Sequence, residues 1–278
     1  MALSLKTVKA ARGAMWVRDG FSLFGKRSLA FSSLFVMFLF AAVVLALVPL
    51  VGGLVQMMLL PLLSLGFMVA AQSALLGGPV KPAQFFEPLR ADAKRRRTLL
   101  IMCVIYGVCA MTILVICDAM SDGAMRRIQT LMAKPGTPQA AIDAILGESG
   151  VWWATVTGVT LGTALSIPFW HAPALVHWGG QSLGMALFSS TVAVWRSKGA
   201  FFVYSLCWAA LIILFGVTTA LVFGLLGMKQ MATAVAFPAG LIFSTAFYVS
   251  LLFTFNDSFG GGGATPLDTP PDTPPETA

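Results

Sequence analysis

The side chains of this chain that could do chemistry are few, and their spacing does not assemble a reaction centre. His171 and His177 are six residues apart with Pro173 between them. That spacing puts them on different faces of a helix, and no Asp, Glu or Cys accompanies them at metal-ligand spacing. They read as interfacial histidines beside Trp170 and Trp178. Cys103, Cys109, Cys117 and Cys207 lie in apolar stretches without a CxxC pair, so they read as small buried hydrophobes. No nucleophile elbow, phosphate loop or zincin signature is present. Gly260–Gly263 has no lysine after it and reads as a hinge. No cofactor, metal or enzymatic activity is expected.

What remains is charge. Lys94-Arg95-Arg96-Arg97 stands directly before one long apolar run, and Lys26-Arg27 before another. Each cation near an anionic leaflet is worth on the order of 1 kcal/mol, so these residues suit acidic lipid headgroups. The same residues also serve to fix topology. The net charge of +7 does not mark a nucleic-acid partner, because the cations flank apolar runs rather than forming one soluble face.

The elements that must position these residues are membrane spans. Of 278 residues, 58% are hydrophobic and 10% charged. There is no charge from Ser28 to Val80 or from Ser149 to Trp195, nor in Gly199–Met228 or Gln230–Asn256. About 20 apolar residues cross a bilayer's hydrocarbon core, and lipid leaves no partner for an unpaired backbone group, so these runs are helices. Six spans fit: residues 31–50, 54–76, 98–117, 151–176, 199–226 and 231–255. A turn falls at Val51-Gly52-Gly53, a bend or stop near Pro168 and Pro173, and a kink at Pro238. The fold class is all-α and polytopic. Its segments are a basic amphipathic stretch (1–27), a six-helix membrane domain (28–256) and a Gly/Pro/Thr-rich acidic tail (257–278). The tail repeats Thr-Pro every four residues from Thr265 and reads as disordered. Asp118 ends the third span, and the loop after it reads as two short helices, with Met125, Ile128 and Met132 on one face and a break at Lys134-Pro135-Gly136.

Three stretches on the basic side share a pattern. Residues 13–31, 83–100 and 182–202 are each amphipathic, aromatic and basic at the end, and each runs into a span. Val17, Phe21 and Phe24 share a face in the first; Leu183, Leu187 and Val194 do so in the third, with Ser189 and Ser190 off it. This suggests three parallel repeats of an in-plane helix followed by a helical hairpin. Small residues recur every fourth position: Gly158 and Gly162 in span four, Gly216 and Gly224 in span five, Gly240 in span six. They imply a tight core of spans four to six, or a homodimer seam on one of those faces.

Trp16, Gly20, Phe21 and Phe24 form a Trp-x-x-x-Gly-Phe-x-x-Phe-like segment, and Pro168–Val176 is a Pro-rich element before an amphipathic helix. On these the chain resembles uncharacterised six-helix proteobacterial inner-membrane proteins. It is similar to YciC-type proteins and to the membrane domains of glycerophosphodiester phosphodiesterases. The resemblance implies fold and membrane; with no phosphodiesterase domain present, it carries over no activity and no site residues.

These readings favour a non-enzymatic inner-membrane protein that organises lipids or partner proteins through a basic cytoplasmic face. The alternative is a transporter or channel for a small or lipid-like molecule, with Gln56, Gln72, Tyr106, Thr155 and Thr160 as candidates for a polar path. Fourteen of the 18 cations fall on one side of a six-span arrangement, so both termini are expected in the cytoplasm. In a cysteine-free background, Arg96→Cys should react with an impermeant maleimide only from the cytoplasmic side. Labelling from the periplasm would overturn the orientation.

Overall fold

The computed structural model describes residues 4–48, 51–90, 92–132, 134 and 139–260. The predicted break at Pro135-Gly136, the Gly261–Gly263 part of the hinge and the Thr-Pro tail lie outside the described residues.

The regular structure is helical throughout these residues. Arg12–Lys26 forms α1, and Ser28–Ala46 forms α2, the first span. The single residue Arg27 separates them, leaving the helical region at φ −143° and ψ 43°. Helix α3 (Gly52–Leu75) returns across the bilayer with Pro61 inside it. Two 3₁₀ turns, Pro82–Phe85 and Glu87–Arg90, lead into α4 (Ala93–Met120). The Asp92 side chain caps α4 by accepting from the Arg95 N–H at 2.9 Å, which satisfies one of the orphan donors of the first turn.

The outer loop folds as α5 (Ala124–Met132) and α6 (Gln139–Leu146). The fourth span is α7 (Ser149–Phe169), followed by the short α8 (Ala172–His177). The chain breaks at Trp170-His171, between Pro168 inside the last turn of α7 and Pro173 in the first turn of α8, whose ring and missing N–H would clash with and leave unpaired the Phe169 carbonyl of a continuous helix. Amphipathic α9 (Leu183–Arg196) meets α10 (Lys198–Leu225) across the single residue Ser197, and α11 (Lys229–Phe259) closes the fold. Six of these segments are long and apolar enough to cross a membrane. The last helix runs to Phe259, beyond the predicted boundary at residue 256.

The short segments on the basic side do not lie loose on the lipid. Helix α1 packs on α10 and α11, the Pro82–Phe85 turn packs on α3, and α9 packs on α7 and α8. Trp16 of α1 is fully buried, against Phe201 and Tyr204 of α10 at ring-centroid distances of 5.2 and 5.9 Å. The face predicted for α9 is displaced: Ala186, Ser190 and Ala193 are its buried residues, with Leu183, Leu187 and Val194 packed at the margin. Ser190 was expected off that face, but it is fully buried. Its hydroxyl donates to the Ile167 carbonyl at 3.0 Å and accepts from the His171 N–H at 3.0 Å. These two groups flank the Pro168 break, so Ser190 replaces ladder bonds lost there.

The small-residue faces of spans four to six do not close as expected. A Cβ added at Gly162, Gly216, Gly224 or Gly240 would meet nothing within 4 Å, and only Gly158 approaches a neighbour, at 3.1 Å from Cys117 Sγ of α4. Helices α10 and α11 meet instead through Phe215 and Phe243, edge to face at 5.4 Å. Close backbone approach occurs at other glycines. A Cβ at Gly13 would lie 2.1 Å from the Ala200 carbonyl oxygen, and one at Gly107 would lie 2.4 Å from Met58 Cγ. Gly13→Ala should therefore lower stability by about 1–3 kcal/mol. Gly240→Ala should be neutral or gain up to about 1 kcal/mol from helix propensity. Thermal unfolding in detergent distinguishes the two, and equal effects would refute this account of the packing.

Candidate functional site

On the basic side, three helices end with their C-termini facing out of the bilayer, and the last carbonyls of each need donors. At α3 the backbone N–H groups of Leu76, Gly77 and Gly78 take the carbonyls of Gln72, Ala74 and Ser73, and Arg27 donates from Nη2 to the Gly77 carbonyl in the turn that follows, at 3.2 Å. Entry segments serve the other two. Arg95 donates from Nη1 to the His177 carbonyl of α8 at 3.0 Å, while its Nε pairs with Asp92 at 3.1 Å. At α11 the donors are backbone: Ser4 N–H to the Phe259 carbonyl at 3.2 Å and Lys6 N–H to Ser258 at 2.8 Å. A cation at a helix C-terminus also offsets the negative end of the macrodipole, typically by 0.3–1 kcal/mol.

The predicted lipid-contact residues therefore separate into two kinds. Arg27 and Arg95 are half-buried and committed to helix ends. Lys26, Lys94, Arg96 and Arg97 are exposed. The two basic groups stand at the ends of different hairpins: Lys26-Arg27 beside the end of α3, Lys94–Arg97 beside α8 and Gly180.

Beneath the rim lies a buried polar layer that sequence reasoning missed. Asp257, assigned to the tail, accepts through Oδ2 from Arg12 Nε at 2.7 Å and from Trp16 Nε1 at 2.7 Å. It pins α1 to the end of α11 across 245 positions of sequence. His171 belongs to the same layer. It is fully buried among Phe201, Phe255 and Phe259, with Nε2 3.2 Å from the Thr254 hydroxyl, which also accepts from Trp170 Nε1 at 3.2 Å. Tyr204 and Ser250 share a further bond at 2.7 Å. The signal available in the sequence was the Gly13, Trp16, Gly20, Leu23 stripe of α1, which marks a face built for close packing.

The candidates for a polar path behave otherwise. Thr155 and Thr160 donate to the carbonyls of Val151 and Val156 at 2.8 Å, their own preceding turn. A cavity of about 180 Å³ lies between α3, α4, α7 and α11, and its lining includes Tyr106 but not Gln56, Gln72 or Thr160. A groove of about 460 Å³ between α10 and α11 is lined by Gly216, Ala220, Ala236 and Gly240, among others.

Opposite the basic side, the outer cap is fastened by ion pairs. Arg126 meets Asp118 at 2.7 Å, and Arg127 binds Glu148 through both nitrogens at 3.0 and 2.5 Å. Met125 and Met132 of α5 remain exposed, so their shared apolar face faces outward from the cap.

The fold and the rim define a multi-pass helical membrane protein with an aromatic core. The chain is 32% identical over 259 residues to "Probable inner membrane protein BTH_II0599" of Burkholderia thailandensis, a match covering 93% of this chain and 94% of that protein. The chain belongs to the family of that inner membrane protein. No family model and no solved structure matches it.

The Arg127 hydrogen bond holds the Glu148 carboxyl below its ordinary pKa of 4.5. A group whose pKa falls on folding stabilises the fold fully above its unfolded value, and that contribution disappears as pH falls through the folded one. The cap should therefore become more susceptible to limited proteolysis as pH drops below 4.5, and Glu148→Gln should remove most of this dependence. A profile unchanged by the substitution would show that other groups govern the cap.

Proposed function

We propose that this protein is a non-enzymatic inner-membrane protein that gathers anionic lipids, or partner proteins, at its basic face. The observation that carries the reading is the division among the cations. Arg27 and Arg95 serve the fold, whereas Lys94, Arg96 and Arg97 stand exposed at the membrane entry of α4, their side chains without an acceptor among the described residues. Three such cations are worth on the order of 3 kcal/mol against an acidic leaflet. The reading places both termini in the cytoplasm. It also includes the three-unit repeat, supported by the cyclic order in which each short segment packs on the second span of another unit. The likeness to YciC-type proteins and to phosphodiesterase membrane domains belongs to the same reading. The open α10–α11 groove is the face it leaves for a helix of a membrane partner.

The test separates the two kinds of cation. Lys94→Gln/Arg96→Gln/Arg97→Gln should reduce the anionic phospholipid retained after purification, read by native mass spectrometry, by about tenfold or more, with melting little changed. Arg95→Gln should instead lower the melting temperature. Unaltered lipid retention in the triple variant with correct topology would reject the proposal.

A further inference from the structure

The cavity between α3, α4, α7 and α11 opens among core residues such as Phe169 and Leu251 and takes no part in the basic rim. It is lined by Pro61 and Ser64 near the middle of α3, Tyr106 at the middle of α4, Ser166 and Trp170 at the end of α7, and Tyr248 of α11, with further apolar residues. Helix α3 packs on both α4 and α11, and α4 packs on α7. Its fourth side is bridged by Trp170, whose ring lies 6.1 Å from that of Phe247.

The hydrogen-bond inventory of the lining is one-sided. Ser64 and Ser166 have donated their hydroxyl hydrogens to the carbonyls of Pro61 at 2.9 Å and Thr163 at 2.8 Å. The Trp170 N–H is taken by Thr254. The phenols of Tyr106 and Tyr248 have no hydrogen-bond partner among the described residues, so the cavity offers two free O–H donors. A polar group in an apolar setting is costly until it is bonded. None of the lining residues is charged, which rules against an ionic guest, since a charge in such a site would need a counter-charge. The volume of about 180 Å³ falls below the roughly 300–1,000 Å³ of a pocket that encloses a whole ligand. It accommodates one ring or one ester group, with the rest of the molecule in the bilayer. Aromatic walls favour a flat group.

We infer that this cavity binds a neutral lipophile through a carbonyl oxygen accepting from Tyr106 and Tyr248. A quinone head and the ester of a neutral diacyl lipid share that chemistry. The inference concerns a different site from the basic rim and stands or falls separately from it.

The full chain in phosphatidylcholine nanodiscs is titrated with a short-chain benzoquinone and, separately, with dioctanoylglycerol. Native mass spectrometry reports binding, with intrinsic tryptophan fluorescence as a second readout. Saturable binding of at least one probe is expected; the quinone alone identifies a quinone head, and the diacylglycerol alone identifies an ester. Tyr106→Phe/Tyr248→Phe removes both donors at nearly constant volume and should weaken binding by about tenfold. Ser166→Leu fills the cavity and should abolish binding; it carries the test if the double variant does not fold. Absence of saturable binding of either probe, or an affinity unchanged in both variants, overturns the inference.

Discussion

Hydrocarbon offers a backbone nothing to bond to, and the rest of this structure follows from how the chain answers that. Within the spans the answer is the helix. At helix ends the ladder runs out, and another group must take over. Here the turn after α3 closes that helix with its own N–H groups and is itself held by Arg27, while Arg95 serves α8 and the N–H groups of Ser4 and Lys6 serve α11. The same accounting explains Ser190, which serves the backbone on both sides of the Pro168 break. It also explains the threonines of α7, whose hydroxyls return to their own turns. Polar side chains in the membrane part of this protein are largely occupied with backbone, which leaves few for a transport path.

The cations therefore have two physical roles, distinguished by reach. A guanidinium can span from the start of one helix to the end of another and present several donors in a plane. Arg27 and Arg95 do this. Lys26, and Lys94 with Arg96 and Arg97, point elsewhere and are exposed. The positive-inside pattern describes both groups alike, since it counts charges and not their partners.

How much was legible in the sequence follows the same division. The six spans, the amphipathic α1 and α9 and the basic rim were legible, because each is a property of one segment: a length of apolar chain, a period, a cluster. Contacts between segments were not. Asp257 looked like the start of a polar tail, yet it receives Arg12 and Trp16. His171 looked interfacial, yet it lies in the aromatic core. The four-residue spacing of Gly216, Gly224 and Gly240 belongs to single helices, whereas close approach needs two. Gly13 meets Ala200 and Gly107 meets Met58 because the facing residue is a backbone or a thin side chain.

Packing is concentrated toward the basic side. The largest fully buried side chains include Trp16, Tyr204, Phe253 and Phe255, all near the rim, whereas Val43, Leu47, Leu221, Leu225 and Phe237 toward the other side face outward. Aromatic contacts link α1, α10 and α11 through Trp16, Tyr204, Trp208 and Phe247. This packed layer lies next to the basic rim, so the helix starts that carry the exposed cations rest on the best-packed part of the fold. Farther from the rim, the open faces of α10 and α11 are covered only by lipid or by another helix. Asp257 joins the two halves of this logic: one carboxylate oxygen takes the Trp16 indole on the core side and the Arg12 guanidinium on the rim side. At α1 the aromatic layer and the charge beside it are therefore held in register by a shared acceptor.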